Sequence, residues 1–209
     1  MRFIGVLNAK GGSGKTTIVS CLAVRAAADA KAAVVDLDPQ ASLGKWHGWR
    51  GSPGNPDLMR GVDWASDAVE RLSMTSPFDY VFFDGPPGSL QVTEDAIRVS
   101  SVVIIPVLAS ALDLDASRDA ISYCQEIGTP FFAVINGKGQ HDGKIVEQAQ
   151  SLLSSWKVPI AKTVVARRLQ FANAITTGRT GAEKDRKAEA EIDALWGEVL
   201  SAVRRGKKK

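Results

Sequence analysis

The chain has 209 residues, of which 44% are hydrophobic and 23% charged, and a formal net charge of +3. This is a globular composition, long enough for one domain over residues 1–209 with a sizeable core. No apolar run approaches the ~18 residues of a membrane-spanning helix, and the N-terminus enters an apolar strand without a separate signal-peptide pattern. The net charge hides an asymmetry. Residues 157–209 carry 13 Lys/Arg against 6 Asp/Glu, whereas the rest carries 13 against 17. A split of this kind points to a polyanionic partner for the C-terminal part.

In chain order, "FIGVLN" (3–8) predicts a strand, 16–28 a helix and "AAVVDL" (32–37) a second strand. The segment 41–63, rich in Gly, Pro and Trp, is expected to be an irregular surface loop. "YVFFD" (80–84), "VVIIPV" (102–107) and "FFAVIN" (131–136) are continuous apolar runs, with helical patterns near 91–99, 113–127 and 142–155. Such strands are buried on both faces, as in a parallel sheet with helices on either side. The expectation is an α/β fold: a doubly wound, mostly parallel sheet flanked by helices. "AEIDALWGEVLSAVRR" (190–205) places Ile192, Leu195, Trp196, Val199, Leu200 and Val203 on one helical stripe, and 206–209 is expected to be a basic tail without fixed structure. Cys21 and Cys124 lie in helical patterns with no metal-ligand spacing. They read as buried small hydrophobes, and a reducing cytoplasm fits them.

The chemistry begins at "NAKGGSGKTT" (8–17), between the first strand and the first helix. The phosphate-loop pattern G-x-x-x-x-G-K-[ST] is met at Gly14, Lys15 and Thr16, but its first position is Ala9, and a second lysine, Lys10, follows. Glycines let backbone N–H groups close around phosphate oxygens, and the helix N-terminus adds positive potential. Lys15 is expected at the β- and γ-phosphates, and Thr16 at Mg²⁺. "VVDLDPQ" ends a strand with Asp36 and Asp38, and "YVFFDGPPG" ends another with Asp84. These strand ends are where open α/β sheets bind ligands. Asp84 suits a Walker-B carboxylate that helps hold Mg²⁺ through water.

Taken together, "KGGSGKTT", "VVDLDPQ", "FFDGPPG" and "IIPVLASALDL" resemble the ParA/MinD family of deviant Walker ATPases, in order and over nearly the whole chain. The resemblance implies a P-loop NTPase that binds ATP and Mg²⁺ and forms a homodimer when ATP is bound. Lys10 falls on the family's signature lysine, which crosses to the partner's phosphates, while Lys15 serves its own nucleotide. Asp38 falls on the water-positioning carboxylate, so Lys10, Lys15 and Asp38 are the expected catalytic residues. The nucleotide would be held by Lys10, Gly11, Gly12, Ser13, Gly14, Lys15, Thr16 and Thr17. "AVINGKG" resembles the adenine-side segment and implies a base contact from Asn136. Thr16, Asp36 and Asp84 are the implied Mg²⁺ group, the carboxylates acting through water.

The branch is ParA-like. With the first strand expected from residue 2, no N-terminal helix-turn-helix domain is expected, and "DPQASLGKW" follows the ParA form. "TVVARRLQFANAITTGRTGAE" resembles the ParA C-terminal pattern. It implies non-specific DNA binding through Arg168 first, with Arg167, Arg179 and Lys184 as further contacts. The cysteine pair of the cluster-bridging branches is missing. The stripe at 188–204 could be a MinD-like membrane helix, but Glu189, Glu191, Asp193 and Glu198 opposite it favour a helix packed on its own sheet. The expected protein is cytoplasmic and nucleoid-associated. The resemblance implies that a ParB-like or small adaptor protein stimulates its hydrolysis and that its cargo is a plasmid, a chromosome origin or a protein cluster. A membrane-surface ATPase or another metabolic enzyme of the family is the alternative.

Overall fold

The computed structural model describes residues 1–75 and 78–206; the basic end at 207–209 lies outside the described residues. Seven strands form one sheet: β1 (Arg2–Val6), β2 (Ala32–Asp36), β3 (Asp57–Met59), β4 (Tyr80–Asp84), β5 (Val102–Val107), β6 (Phe131–Lys138) and β7 (Val165–Ala166). Their order is β3-β2-β4-β1-β5-β6-β7, and every strand pairing among the described residues is parallel. The sheet is therefore wholly rather than mostly parallel. Nine helices accompany it among the described residues: α1 (Lys15–Ala27), α2 (Ser42–Trp49), α3 (Ala65–Thr75), α4 (Leu90–Val99), α5 (Ala111–Asp115), α6 (Arg118–Ile127), α7 (Gly143–Ser155), α8 (Leu169–Ile175) and α9 (Arg186–Gly206).

Alternation along the strands feeds two cores. Ile4, Val34, Phe82, Ile104 and Val134 point to one face, covered by α1, α2 and α9. Val35, Phe83, Val103, Ile105 and Ile135 point to the other, covered by α3, α4, α6 and α7. Both faces are dry, which is why these strands read as unbroken apolar runs. Cys21 lies in the first core and Cys124 in the second, both free and buried, as expected.

Two parts of the sequence reading are corrected. The segment 41–63 is not an irregular loop: it holds α2 and the edge strand β3. Gly44, Gly48 and the prolines obscure the pattern, but Leu43 and Trp46, one helical turn apart, are fully buried. The helix start is capped from a distance, because Gly44 N donates to Asp36 Oδ2 at 2.8 Å. The helical pattern at 113–127 is broken into α5 and α6 around the buried Ser117. Its hydroxyl accepts from Asn8 Nδ2 at 2.9 Å and donates to Asp113 O at 2.9 Å, anchoring the break to the end of β1.

The stripe of α9 is buried, with Ile192, Leu195, Trp196 and Val199 in the first core. Trp196 sits edge-on to Tyr80, ring centroids 4.9 Å apart. The acidic residues opposite this stripe are put to use. Glu198 accepts from Lys162 N and Thr163 N, and Glu191 from Ala166 N, so two carboxylates satisfy backbone groups around the edge strand β7. The stripe is a core face, as the sequence reading favoured.

Candidate functional site

Register aligns the chemistry before any loop is considered. Asp84 at the end of β4 pairs with Asp36 of β2 on one side and Val6 of β1 on the other. The turn leaving β1 therefore emerges beside two carboxylates. That turn wraps back into α1, whose N-cap Gly14 has φ 91° and ψ 22°. A left-handed residue is required there, and an added Cβ would collide with the Asn136 amide.

The loop closes around its own lysine. Lys15 is 6% exposed, and its Nζ donates to Lys10 O at 2.9 Å. Ser13 Oγ donates to the same carbonyl at 3.2 Å, and Lys10 N donates to Asn8 Oδ1 at 3.0 Å. Burial lowers the Lys15 pKa from its ordinary value, opposed by the charges of Asp84 and Asp38. Lys10 is placed differently. Its side chain is 42% exposed, and its Nζ lies 3.3 Å from Asp113 Oδ1. Asp113 was not singled out from sequence. The available signal was Ser110, whose hydroxyl caps α5 by accepting from Asp113 N.

Asp84 is 1% exposed. Its Oδ2 accepts from Thr16 Oγ1 at 2.6 Å, and its Oδ1 is buried without a partner. Burial pushes its pKa up to about 8; the Thr16 hydroxyl pulls against this, and the Asp36 charge adds to it. A buried carboxylate with one orphaned oxygen beside a threonine hydroxyl suits a hydrated divalent cation, which would satisfy that oxygen and favour the ionised form.

A cavity of about 530 Å³ opens over this loop, a size suited to a small organic ligand. Its floor includes Gly11, Gly14, Lys15, Thr16 and Thr17, and Asp38 lies on its wall. Among the described residues, Asp38 Oδ1 accepts from Gln40 N alone, at 2.9 Å. The structure therefore brings together the loop residues 10–17 with Asp38 and Asp84. It also adds Lys45, Trp49, Ile175 and Thr176 to the cavity wall, none of which was expected from sequence.

Three expected site residues are otherwise engaged. Asp36 accepts from Asp38 N through Oδ1 and from Gly44 N through Oδ2, so it braces the loop and α2. The Asn136 amide donates to Ser13 O at 2.7 Å and packs on Gly14, so it braces the phosphate loop. Arg168 is paired within the fold. Both of its Nη groups pair with Glu191 of α9, at 2.5 and 2.6 Å, and its side chain is 14% exposed. Glu183 pairs with Arg50 and, at 3.3 Å, with Arg179. Arg167, Arg179 and Lys184 are exposed.

Comparison with known proteins agrees with this geometry. Residues 4–181 match the CobQ/CobB/MinD/ParA nucleotide binding domain. The maintenance of carboxysome distribution protein A of Halothiobacillus neapolitanus is 28% identical over 207 residues, covering 94% of this chain and 95% of the relative. The chromosome-partitioning ATPase Soj of Thermus thermophilus is 25% identical, with 88% of each chain covered. Among solved structures, the MinD cell division protein of Aquifex aeolicus superposes with a TM-score of 0.78 at 17% identity, covering 96% of this chain and 98% of that one. An ATP complex of a Cyanothece McdA variant gives 0.76 at 18%, covering 96% of both. These two share the fold. With the phosphate loop, the carboxylates at the strand ends and the seven-stranded parallel sheet all in place, the chain belongs to the CobQ/CobB/MinD/ParA family of nucleotide-binding proteins.

Proposed function

We propose that the protein is a ParA-type ATPase that dimerises face to face on binding ATP, binds DNA without sequence preference, and hydrolyses ATP to position a cargo. The observation that carries this reading is the division between two lysines on one loop. Lys15 is buried inside the cradle, whereas the Lys10 side chain is 42% exposed and pairs with Asp113. An exposed lysine at the loop entrance is suited to reach phosphates bound by a second subunit. There it would counter charge developing on the transferred phosphoryl group.

In this mechanism the backbone of residues 11–16 and the Lys15 ammonium hold the triphosphate. Thr16 and Asp84 would hold Mg²⁺, with Asp36 bracing the wall beside them. Magnesium, when bound, supplies positive charge to the phosphate oxygens. Asp38, with one oxygen free of protein partners, orients the attacking water. The DNA surface is the basic C-terminal part, with Arg167, Arg179 and Lys184 as contacts. Arg168 acts as a positioning residue that fixes the start of α8 to α9. A ParB-like or small adaptor protein would stimulate turnover. The cargo classes are a plasmid, a chromosome origin or a protein cluster, in keeping with relatives named for chromosome partitioning and carboxysome distribution. Burial of the α9 stripe favours this over a membrane-surface role.

The test is Lys10→Ala, followed by analytical sedimentation with ATP and with ADP. The variant is expected to bind nucleotide as a monomer, but to lose the ATP-dependent dimer and hydrolysis. Normal dimerisation of the variant with ATP would overturn the reading.

A further inference from the structure

The cavity over the phosphate loop has two chemically different ends. One is the cradle of Gly11, Gly14, Lys15 and Thr16. The other runs past Thr17 to an apolar wall made by Trp49 of α2 and by Ile175 at the end of α8. Trp49 is 54% exposed. Trp49 thus offers an open aromatic ring on the wall of a cavity whose floor is the phosphate-loop cradle.

The helix end that carries Trp49 is held in place by its neighbours. Trp46 Nε1 donates to Arg179 O at 3.2 Å, and Arg50 Nη1 donates to Gly178 O at 3.0 Å. Arg50 also forms a two-pronged pair with Glu183. Gly178, at φ 68°, packs directly on the backbone of Trp49 and Arg50, where an added Cβ would collide. The residues on either side of Trp49 are thus clasped to the segment following α8. The indole is presented on a pre-organised support, which lowers the cost of ordering it on binding. Asn136, the side chain that would otherwise read the base, has its amide bound to Ser13 O.

We propose that Trp49, with Ile175 beside it, is the stacking platform for the base of the bound nucleotide. This rests on the reading of the loop as a nucleoside triphosphate site, and it assigns the half of the cavity that the phosphates leave empty. Stacking is tolerant of base identity because every base has a π-face. Trp49 therefore supplies affinity for a nucleoside triphosphate over a bare polyphosphate, and little discrimination between adenine and guanine.

The test compares wild type, Trp49→Ala, Trp49→Leu and Trp49→Phe by calorimetric titration. The ligands are ATP, GTP and inorganic tripolyphosphate, each with Mg²⁺, and thermal melts check folding. Trp49→Ala is expected to weaken ATP and GTP by about tenfold or more, the scale of one lost base stack, while tripolyphosphate is unchanged. Trp49→Leu, which keeps apolar bulk without a ring, is expected to follow Trp49→Ala. Trp49→Phe is expected to recover most of the affinity. Wild-type ATP binding retained by both Trp49→Ala and Trp49→Leu would overturn the platform and leave the nucleotide reading standing. Wild type that binds tripolyphosphate as tightly as ATP would also overturn the platform. Wild type that binds none of the three ligands would overturn the nucleotide reading, and the platform with it.

Discussion

Lys15 and Asp38 line one cavity but hold different atoms, so their loss should separate binding from turnover. Lys15→Ala removes the buried ammonium at the centre of the loop. Nucleotide affinity is expected to fall by at least tenfold in equilibrium titration, and hydrolysis with it. Asp38→Ala leaves the cradle intact. It should keep ATP and accumulate as a dimer, with turnover reduced on the order of 10²-fold, as for a lost proton-accepting or water-orienting group. Rapid phosphate release by Asp38→Ala would remove it from the mechanism. At this scale the loop was legible, because Gly14, Lys15 and Thr16 act through backbone only a few residues away. The roles of Asn136 and Arg168 were not. Their partners, Ser13 and Glu191, lie 123 and 23 residues away, and the pairings appear only once β6 meets the loop and α9 meets β7.

Among the elements, the clasp between α2 and the segment after α8 carries a pH dependence. Burial raises the Glu183 pKa, but bonds from Arg50 and Thr180 outweigh it, and the net value lies below the ordinary carboxylate range. For a carboxylate with a depressed folded-state pKa, the stabilisation is fully present above the unfolded value. It is lost as pH falls through the folded one. Melting temperature should therefore drop between about pH 5 and pH 3, and Glu183→Gln should flatten that slope. Melts of the two proteins across this range check it; parallel curves would show that Glu183 contributes nothing there. The helix α9 makes a second prediction. Trp196 packs on Tyr80 and Phe82 in the first core. Trp196→Ala should cost about 3–5 kcal/mol in denaturant unfolding, whereas loss of a membrane-facing residue would cost little. The burial of α9 was legible from its stripe. The helix α2 was not, because its cap comes from Asp36 on β2 and its apolar face has only two members.

For the whole molecule, the basic C-terminal part predicts the salt response of DNA binding. With three contacts on each subunit a dimer neutralises about six phosphates, and log K should fall against log salt with a slope near −5.4. Arg167→Ala, which removes one contact from each subunit, should flatten the slope by about 1.8 and weaken all sequences alike. Arg168→Ala should instead lower stability, because it strands Glu191 beside Ala166 N. Filter binding across a salt series with ATP, alongside thermal melts, separates the two. Identical slopes for wild type and Arg167→Ala would exclude Arg167 as a contact.

The sequence by itself determined the fold class, the two-sided core and the phosphate loop. These follow from local periodicity and from a turn whose glycines and lysine act within one short segment. Tertiary structure alone decided which polar side chains are free to meet a ligand. Lys10 stays exposed on Asp113, whereas Arg168 is spent on Glu191 and the Asn136 amide on Ser13. It also decided that Trp49 lines the cavity over the phosphate loop. Availability is set by hydrogen-bonding partners that folding brings from distant segments, and no local pattern in the chain encodes them.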